Sequence, residues 1–467
     1  MIYGEDKHKR LMERLGHRHR TIGHGSSLSR RRFFEILGSG VTGSYLAGPM
    51  LASENTRPQV SLINKAKSVI FILCVGAPSH VDTFDLKVTE GVTPSDFQPT
   101  NVNGIDWPMG LLPKIATVLP HLAIVRSVRS WALVHSLAQV WSQIGRNPVA
   151  ALGDVSPNMG SVVAVEKESE RTASQVFPTF IALNANSAVS QGYLSARYAP
   201  FKVIPASTGL NNTANADGQT RLDSRLKFLH SIDDTLRVNS PLSKDLEDYD
   251  AFYTSARNMM YNTAVTKAFS YSSADSARYG NSNFGNACLV AKQVLEANQG
   301  TRYIQINLNG WDMHEDIYGT AGSADTNIYT LGKNEFDPGV AALIGDLNSN
   351  GLLKETLVVI AGEFGRTVGP LSPQGGRDHF MQQFAVFAGA GIKAGRVIGA
   401  TNADGSDVSE YGWKYNRYIR IEDIEATMYS ALGIDWTKQV DTPFGRSYEY
   451  VPFAKEGTYA PIDELWA

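Results

Sequence analysis

The sequence predicts an α/β fold, a doubly wound, mostly parallel sheet flanked by helices, and two kinds of segment carry that expectation. The first is a set of short, continuously apolar runs, each bounded by glycine or polar turn residues, the pattern of strands buried on both faces. The second is helical patterning between several of those runs. The run at 67–75 (KSVIFILCV), closed by Gly76, is the expected first strand, and 121–125, 179–183, 303–308, 356–361 and 384–388 are further strands of the same kind. Helices are expected over 287–297, ahead of the strand at 303, and over 336–353, ahead of the strand at 356, so strand and helix alternate as right-handed crossovers require. Residues 185–285 differ: they are rich in Asn, Ser, Asp and Tyr, carry a helical stretch near 221–237, and read as an inserted polar cap region.

Composition narrows the function classes. Hydrophobic residues make up 43% of the 467, enough for a large core, and charged residues only 19%, which excludes a disordered chain. The formal charge of -3 conceals an asymmetry: residues 1–33 carry nine Lys/Arg against three Asp/Glu, leaving 34 against 43 for the rest. That acidic body has no basic stripe, which excludes nucleic acid as a partner. Cys74 and Cys288 sit in apolar surroundings; two such cysteines make neither a disulfide framework nor a thiolate metal cluster. In the basic head, Ser29-Arg30-Arg31-Arg32-Phe33-Phe34 precedes an uncharged stretch, 36–53, with four glycines and a proline, too weak for a stable membrane span. This head resembles a twin-arginine export signal, whose machinery carries folded proteins. The resemblance implies a flexible leader over 1–55, a body over 56–467, the twin-arginine translocase as partner during export, and a periplasmic or extracellular location.

After the leader the chain has six histidines: His80, His121, His135, His230, His314 and His379. In an open α/β sheet, ligands collect beyond the carboxyl ends of strands, so polar residues just after a strand carry weight. Four such segments stand out: 76–85 with His80 and Asp82, 309–314 with Asp312 and His314, 362–367 with Glu363 and Arg366, and 375–380 with Arg377, Asp378 and His379. Imidazoles and carboxylates gathered at one sheet edge without thiolates suit a divalent zinc, manganese or iron ion. Arg366 and Arg377 are candidates to hold an anionic substrate, and equally candidates for structural ion pairs. Ser136 opens the apolar helical stretch 137–141, either as its N-cap or as a nucleophile at a helix N-terminus that favours an incoming anion.

In combination, the Ser-Arg-Arg leader, Ser79-His80-Val81-Asp82-Thr83-Phe84-Asp85, Gly310-Trp311-Asp312-Met313-His314, Glu363-Phe364-Gly365-Arg366-Thr367 and Arg377-Asp378-His379 resemble the exported bacterial "domain of unknown function 1501" family over about residues 65 to 450. That family is similar to a distant branch of the alkaline phosphatase and sulfatase superfamily, and 421–434 resembles a helix near the end of sulfatase-like domains. The resemblance implies an alkaline-phosphatase-like sheet with metal at its strand ends. Asp82 would be an acidic ligand, Ser136 would fall near the nucleophile, Asp312, His314 and His379 would form a first metal site, and Glu363 would stand where the superfamily has the Asp of an Asp-His pair. Phe364 follows where that His belongs, so a second site lacks a ligand unless His80 or Asp378 replaces it. No Cys-x-Pro-x-Arg segment is present, which argues against a true sulfatase. The function expected is an exported metal-dependent hydrolase of a small-molecule or polymer-borne phosphate or related anionic ester; the alternative is a non-catalytic sulfatase-like fold serving the cell envelope as a binding or structural component.

Overall fold

A computed structural model of the chain describes residues 60–237, 243–319 and 326–467. Its centre is an eight-stranded sheet. In chain order the strands are β1 (Ser68–Val75), β2 (Leu122–Arg129), β3 (Phe180–Leu183), β4 (Phe201–Val203), β5 (Tyr303–Asn309), β6 (Thr356–Gly362), β7 (Gln382–Gly389) and β8 (Arg396–Ile398). In space they run β8-β2-β7-β6-β1-β5-β3-β4. All six expected strands are among them. β1 lies parallel between β5 and β6, with Val69 beside Tyr303 and Ser68 beside Thr356. Of the eight, β7 alone opposes its neighbours, running antiparallel to both β2 and β6.

The apolar runs form strands because each residue has a layer to enter. Every residue of β1 and of β6 is buried. Along β1 the side chains alternate: Ile70, Ile72 and Cys74 meet Ile304, Ile306 and Leu308 on one face, while Phe71, Leu73 and Val75 meet Val359 and Phe387 on the other. Helices cover both faces. The longer ones are α1 (His135–Ile144), α2 (Met159–Lys167), α3 (Gln219–Arg237), α4 (Ser243–Met259), α5 (Asn283–Ala297), α6 (Asp337–Ser349) and α7 (Ile421–Ala431). α5 and α6 bring Cys288, Leu289, Val340 and Ile344 to the first layer; α2 and α7 bring Val162, Val163, Met428 and Tyr429 to the second. Each such side chain contributes roughly 1.5–3 kcal/mol on burial. Cys74 and Cys288 are free thiols in this core.

Local signals set the helix ends. The Asn158 side chain accepts the Gly160 N–H at the head of α2, and Ser282 accepts the Gly285 N–H at the head of α5. α1 stops at Gly145, whose φ of +61° is left-handed. Its N-cap is Val134, with no capping side chain, so Ser136 lies inside the first turn and is not the cap the sequence suggested.

Part of the region expected as a polar cap is built into the body. β4 extends the sheet beside β3, with Ile181 next to Phe201, and Val265 and Phe269 of the short helix Thr263–Phe269 join the first core layer. α3 and α4 belong to the same region. The leader over 1–55, with its twin-arginine pattern, lies outside the described residues. Among those described, no helix is long and apolar enough to cross a membrane.

Candidate metal centre

The parallel strands β1, β5 and β6 all end at one edge of the sheet, and β7, running the other way, begins there. The loops at that edge are laced together by short backbone pairings. Gly365–Arg366, just past β6, pairs antiparallel with His379–Phe380, just before β7, placing His379 opposite Arg366. The Arg377 N–H donates to the Met313 carbonyl, and the Asp316 and Ile317 N–H groups donate to the carbonyls of Gln374 and Gly375, each at 3.0 Å. Two glycines make the approach possible. A Cβ on Gly76, whose φ is +101°, would stand 2.5 Å from the Asp312 nitrogen, and one on Gly376 would stand 1.9 Å from the His314 carbonyl carbon.

Four side chains converge here. His135 opens α1, Asp312 and His314 follow β5, and His379 precedes β7; one ligand atom from each lies within 4.8 Å of all the others. Asp312 Oδ1 is 3.0 Å from His135 Nε2, 2.9 Å from His314 Nε2 and 3.7 Å from His379 Nε2. The Nε2 atoms of His314 and His379 are 2.9 Å apart. Ligand atoms at about 2 Å around a tetrahedral ion would be separated by about 3.3 Å, so the group has the dimensions of one ion's first coordination shell.

The opposite ring nitrogens explain the orientation. His135 Nδ1 is hydrogen-bonded to Glu363 Oε1, His379 Nδ1 donates to the Leu133 carbonyl at 2.6 Å, and His314 Nδ1 faces Asp378 Oδ1 at 2.9 Å. A carbonyl or carboxylate only accepts, so each Nδ1 is the donor, and a ring in its neutral form then turns an Nε2 lone pair inward. Three lone pairs and a carboxylate then face one point, an arrangement that a cation resolves. His135 Nε2 is buried without a hydrogen-bond partner, as a site built for an ion requires. Burial, helped by the Arg366 charge and opposed by the hydrogen bond to the Leu133 carbonyl, holds His379 below the usual imidazole range and so favours its neutral form. Burial opposes ionisation of Asp312, yet the hydrogen bond and charge of Arg366 outweigh it and hold the carboxyl below its usual range.

The other expected residues surround this group in supporting positions. Glu363 and Asp378 stand behind His135 and His314 as orienting acceptors. Burial pushes Glu363 above the usual carboxylate range, against the hydrogen bonds from His135, Gln139 and the Gly76 N–H. Phe364, where the superfamily pattern has a histidine, packs its ring against His135 and His379 at centroid distances of 4.8 and 4.6 Å. Arg366 donates Nη2 to Asp312 Oδ1 at 2.5 Å and is anchored on the carbonyls of Gly76, Ala77 and Arg377. Arg377 is taken up inside the protein: it pairs with Asp82 at 2.8 Å and donates to Thr367 O, Gly369 O and the Tyr318 hydroxyl. Asp82 also accepts from Ser79 and Tyr318, so both of its oxygens are engaged outside the convergent group. His80 is buried, contacts the Gly405 carbonyl through Nε2 at 2.9 Å and stacks near Phe380. Ser136 is exposed in the first turn of α1, next in sequence to His135. His135 itself is the member that sequence reasoning assigned only to a helix start.

The family model described as "Protein of unknown function (DUF1501)" matches residues 66–456. The chain belongs to this family. No curated protein matches it. Among solved structures, this DUF1501 chain is similar to the PsFucS1 sulfatase from Pseudoalteromonas sp., at 12% identity and a TM-score of 0.39, covering 79% of this chain and 68% of that one. It is similar to the C-terminal periplasmic domain of EcEptC from Escherichia coli in complex with Zn, at 12% identity, a TM-score of 0.37 and coverage of 83% and 94%. A phosphonate monoester hydrolase of Agrobacterium radiobacter gives 11%, 0.37, 79% and 74%.

Proposed function

We propose that this protein is an exported metal-dependent hydrolase of phosphate or related anionic esters. The observation that carries the reading is the inward convergence of three imidazole Nε2 atoms and the Asp312 carboxylate, each imidazole fixed from behind by an acceptor. His135, Asp312, His314 and His379 would hold a zinc, manganese or iron ion. When bound, such an ion supplies Lewis acidity toward an ester oxygen and toward the attacking group. The chain's own residues supply the rest. Arg366, fixed by three carbonyls and Asp312, is an immobile positive charge beside the centre, suited to balance charge developing on the ester. The partly exposed Asp312 leaves the group open to solvent on one side, as substrate entry needs. Ser136, adjacent to His135 at the head of α1, is the hydroxyl offered as nucleophile; water is the other choice.

The test is metal content by elemental mass spectrometry together with hydrolysis of phosphate and phosphonate monoesters. The native protein is expected to carry near-stoichiometric metal and to hydrolyse at least one ester, and His314→Ala to lose both while keeping its far-ultraviolet circular dichroism. Unchanged metal in that variant would refute the ligand set. Ser136→Ala separates the nucleophiles: activity lost with metal retained assigns the hydroxyl, and activity retained assigns water.

A further inference from the structure

Beyond the carboxyl ends of β3, β4 and β5 lies a second feature of the same sheet edge, a cavity of about 360 Å³. Its wall is formed where those strands stop, by Asn184 after β3, Ile204 after β4 and Asn309 at the end of β5, and is completed by Asn283 and Phe284 at the head of α5 and by Glu335. The volume falls within the roughly 300–1,000 Å³ of small-ligand sites. Among the described residues, no Lys or Arg lines it. Asn309 is three residues from Asp312, hence within about 11 Å of it along even a fully extended chain.

The lining chemistry restricts the ligand. The Asn283 and Asn309 side chains are exposed, and Asn184 donates its amide to the Asn283 carbonyl at 2.9 Å, leaving its own oxygen as an acceptor. α5 begins at Asn283, and the first N–H groups of a helix have no partner within it. Glu335 adds a carboxylate that contacts Ser282. An anion would meet that carboxylate with no cation to offset it, and an apolar group would strip water from the amides without replacing their hydrogen bonds. Hydroxyl groups both donate and accept, and so match interleaved amides, the helix-start N–H groups that the Ser282 cap does not take, and a carboxylate.

We infer that this cavity binds the neutral, polyhydroxylated part of a ligand, a sugar or polyol. Resting on the hydrolase reading, it places the alcohol portion of the ester here, with the anionic group at the centre beside Asp312. Binding itself needs no metal, so the two readings fail separately. The experiment is saturation-transfer NMR with methyl glycosides of glucose, galactose, mannose, xylose and fucose, on native protein before and after EDTA treatment. At least one glycoside is expected to receive saturation in both states, and to bind at least tenfold more weakly to Asn309→Leu and to Glu335→Gln. Both substitutions lie at partly or fully exposed positions, and circular dichroism checks their fold. Absence of transfer to every glycoside, or transfer undiminished in both variants, overturns the inference. Glycoside binding without esterase activity would keep this subsite and reject the hydrolase.

Discussion

A hydrogen bond on the far side of each imidazole fixes which nitrogen faces the convergent group, the orientation that the proposed ligand role needs. Glu363 performs this for His135 from a buried position. Glu363→Gln keeps an acceptor for the Nδ1 proton but removes the charge, so metal affinity is expected to fall about 10- to 100-fold, read by competition with a chelator, while the fold is retained. Asp312, His314 and His379 stand out in the sequence because each lies just outside an apolar run, in a segment that also holds Gly or Asp, where strand-end chemistry collects. His135 was less legible. Its neighbours 137–141 read as a helix, and a polar pair at a helix start is ordinarily capping chemistry; the cap is in fact Val134, which frees the imidazole for the centre. The signal available was its place as one of six histidines after the leader, between a strand and a helix. Arg377 is the converse case. A sequence gives its charge but not its partners, so anion clamp and structural ion pair stay equal there; the partners in the structure make it a strap.

At the level of elements, that strap joins the loop after β1 to the loop before β7. Both members are buried, Arg377 at 1% and Asp82 at 0% side-chain exposure. Removing one partner leaves the other uncompensated, so Arg377→Met is expected to cost about 3–5 kcal/mol, seen as a lower urea midpoint and as loss of metal from a loosened 375–379 loop. A variant as stable as the native protein would mean that the pair is not what holds the loop. The strands themselves were legible because an unbroken apolar run has little choice but to be buried on both faces. Strand direction was not. The run 384–388 reads the same for either orientation, and only pairing with β2 and β6 fixes β7 as antiparallel. The region 185–285 reads as a polar cap because its composition averages over β4 and the helix Thr263–Phe269, whose apolar residues are among those that pack into the core.

Across the whole molecule, one place where pH should act is α7, which buries acids. Glu422 accepts from the indole N–H groups of Trp131 and Trp141, yet burial pushes it up to about 7, and burial pushes Glu425 up to about 8. Both carboxyls prefer to be protonated in the folded state. Their contribution is therefore fully present below the unfolded value of about 4.5 and is lost as pH rises through about 7 and 8. The thermal midpoint is expected to decline from pH 5 to pH 8.5, and Glu425→Gln to flatten that decline; an unchanged slope would reject the assignment. The antiparallel entry of β7 has a consequence for folding order. Because this strand starts at the site edge, His379 reaches the Leu133 carbonyl 246 residues earlier in the chain, and His135 reaches Glu363 across 228. Contacts of such separation close late, after most of the loop entropy has been lost. A nascent chain that has not yet extended past residue 379 can already hold β1, β3, β5 and β6, but it lacks a complete ligand set. On the proposed metal reading, capacity to bind an ion is thus a property of the finished fold, and metal content would double as a measure of how many molecules have folded to completion.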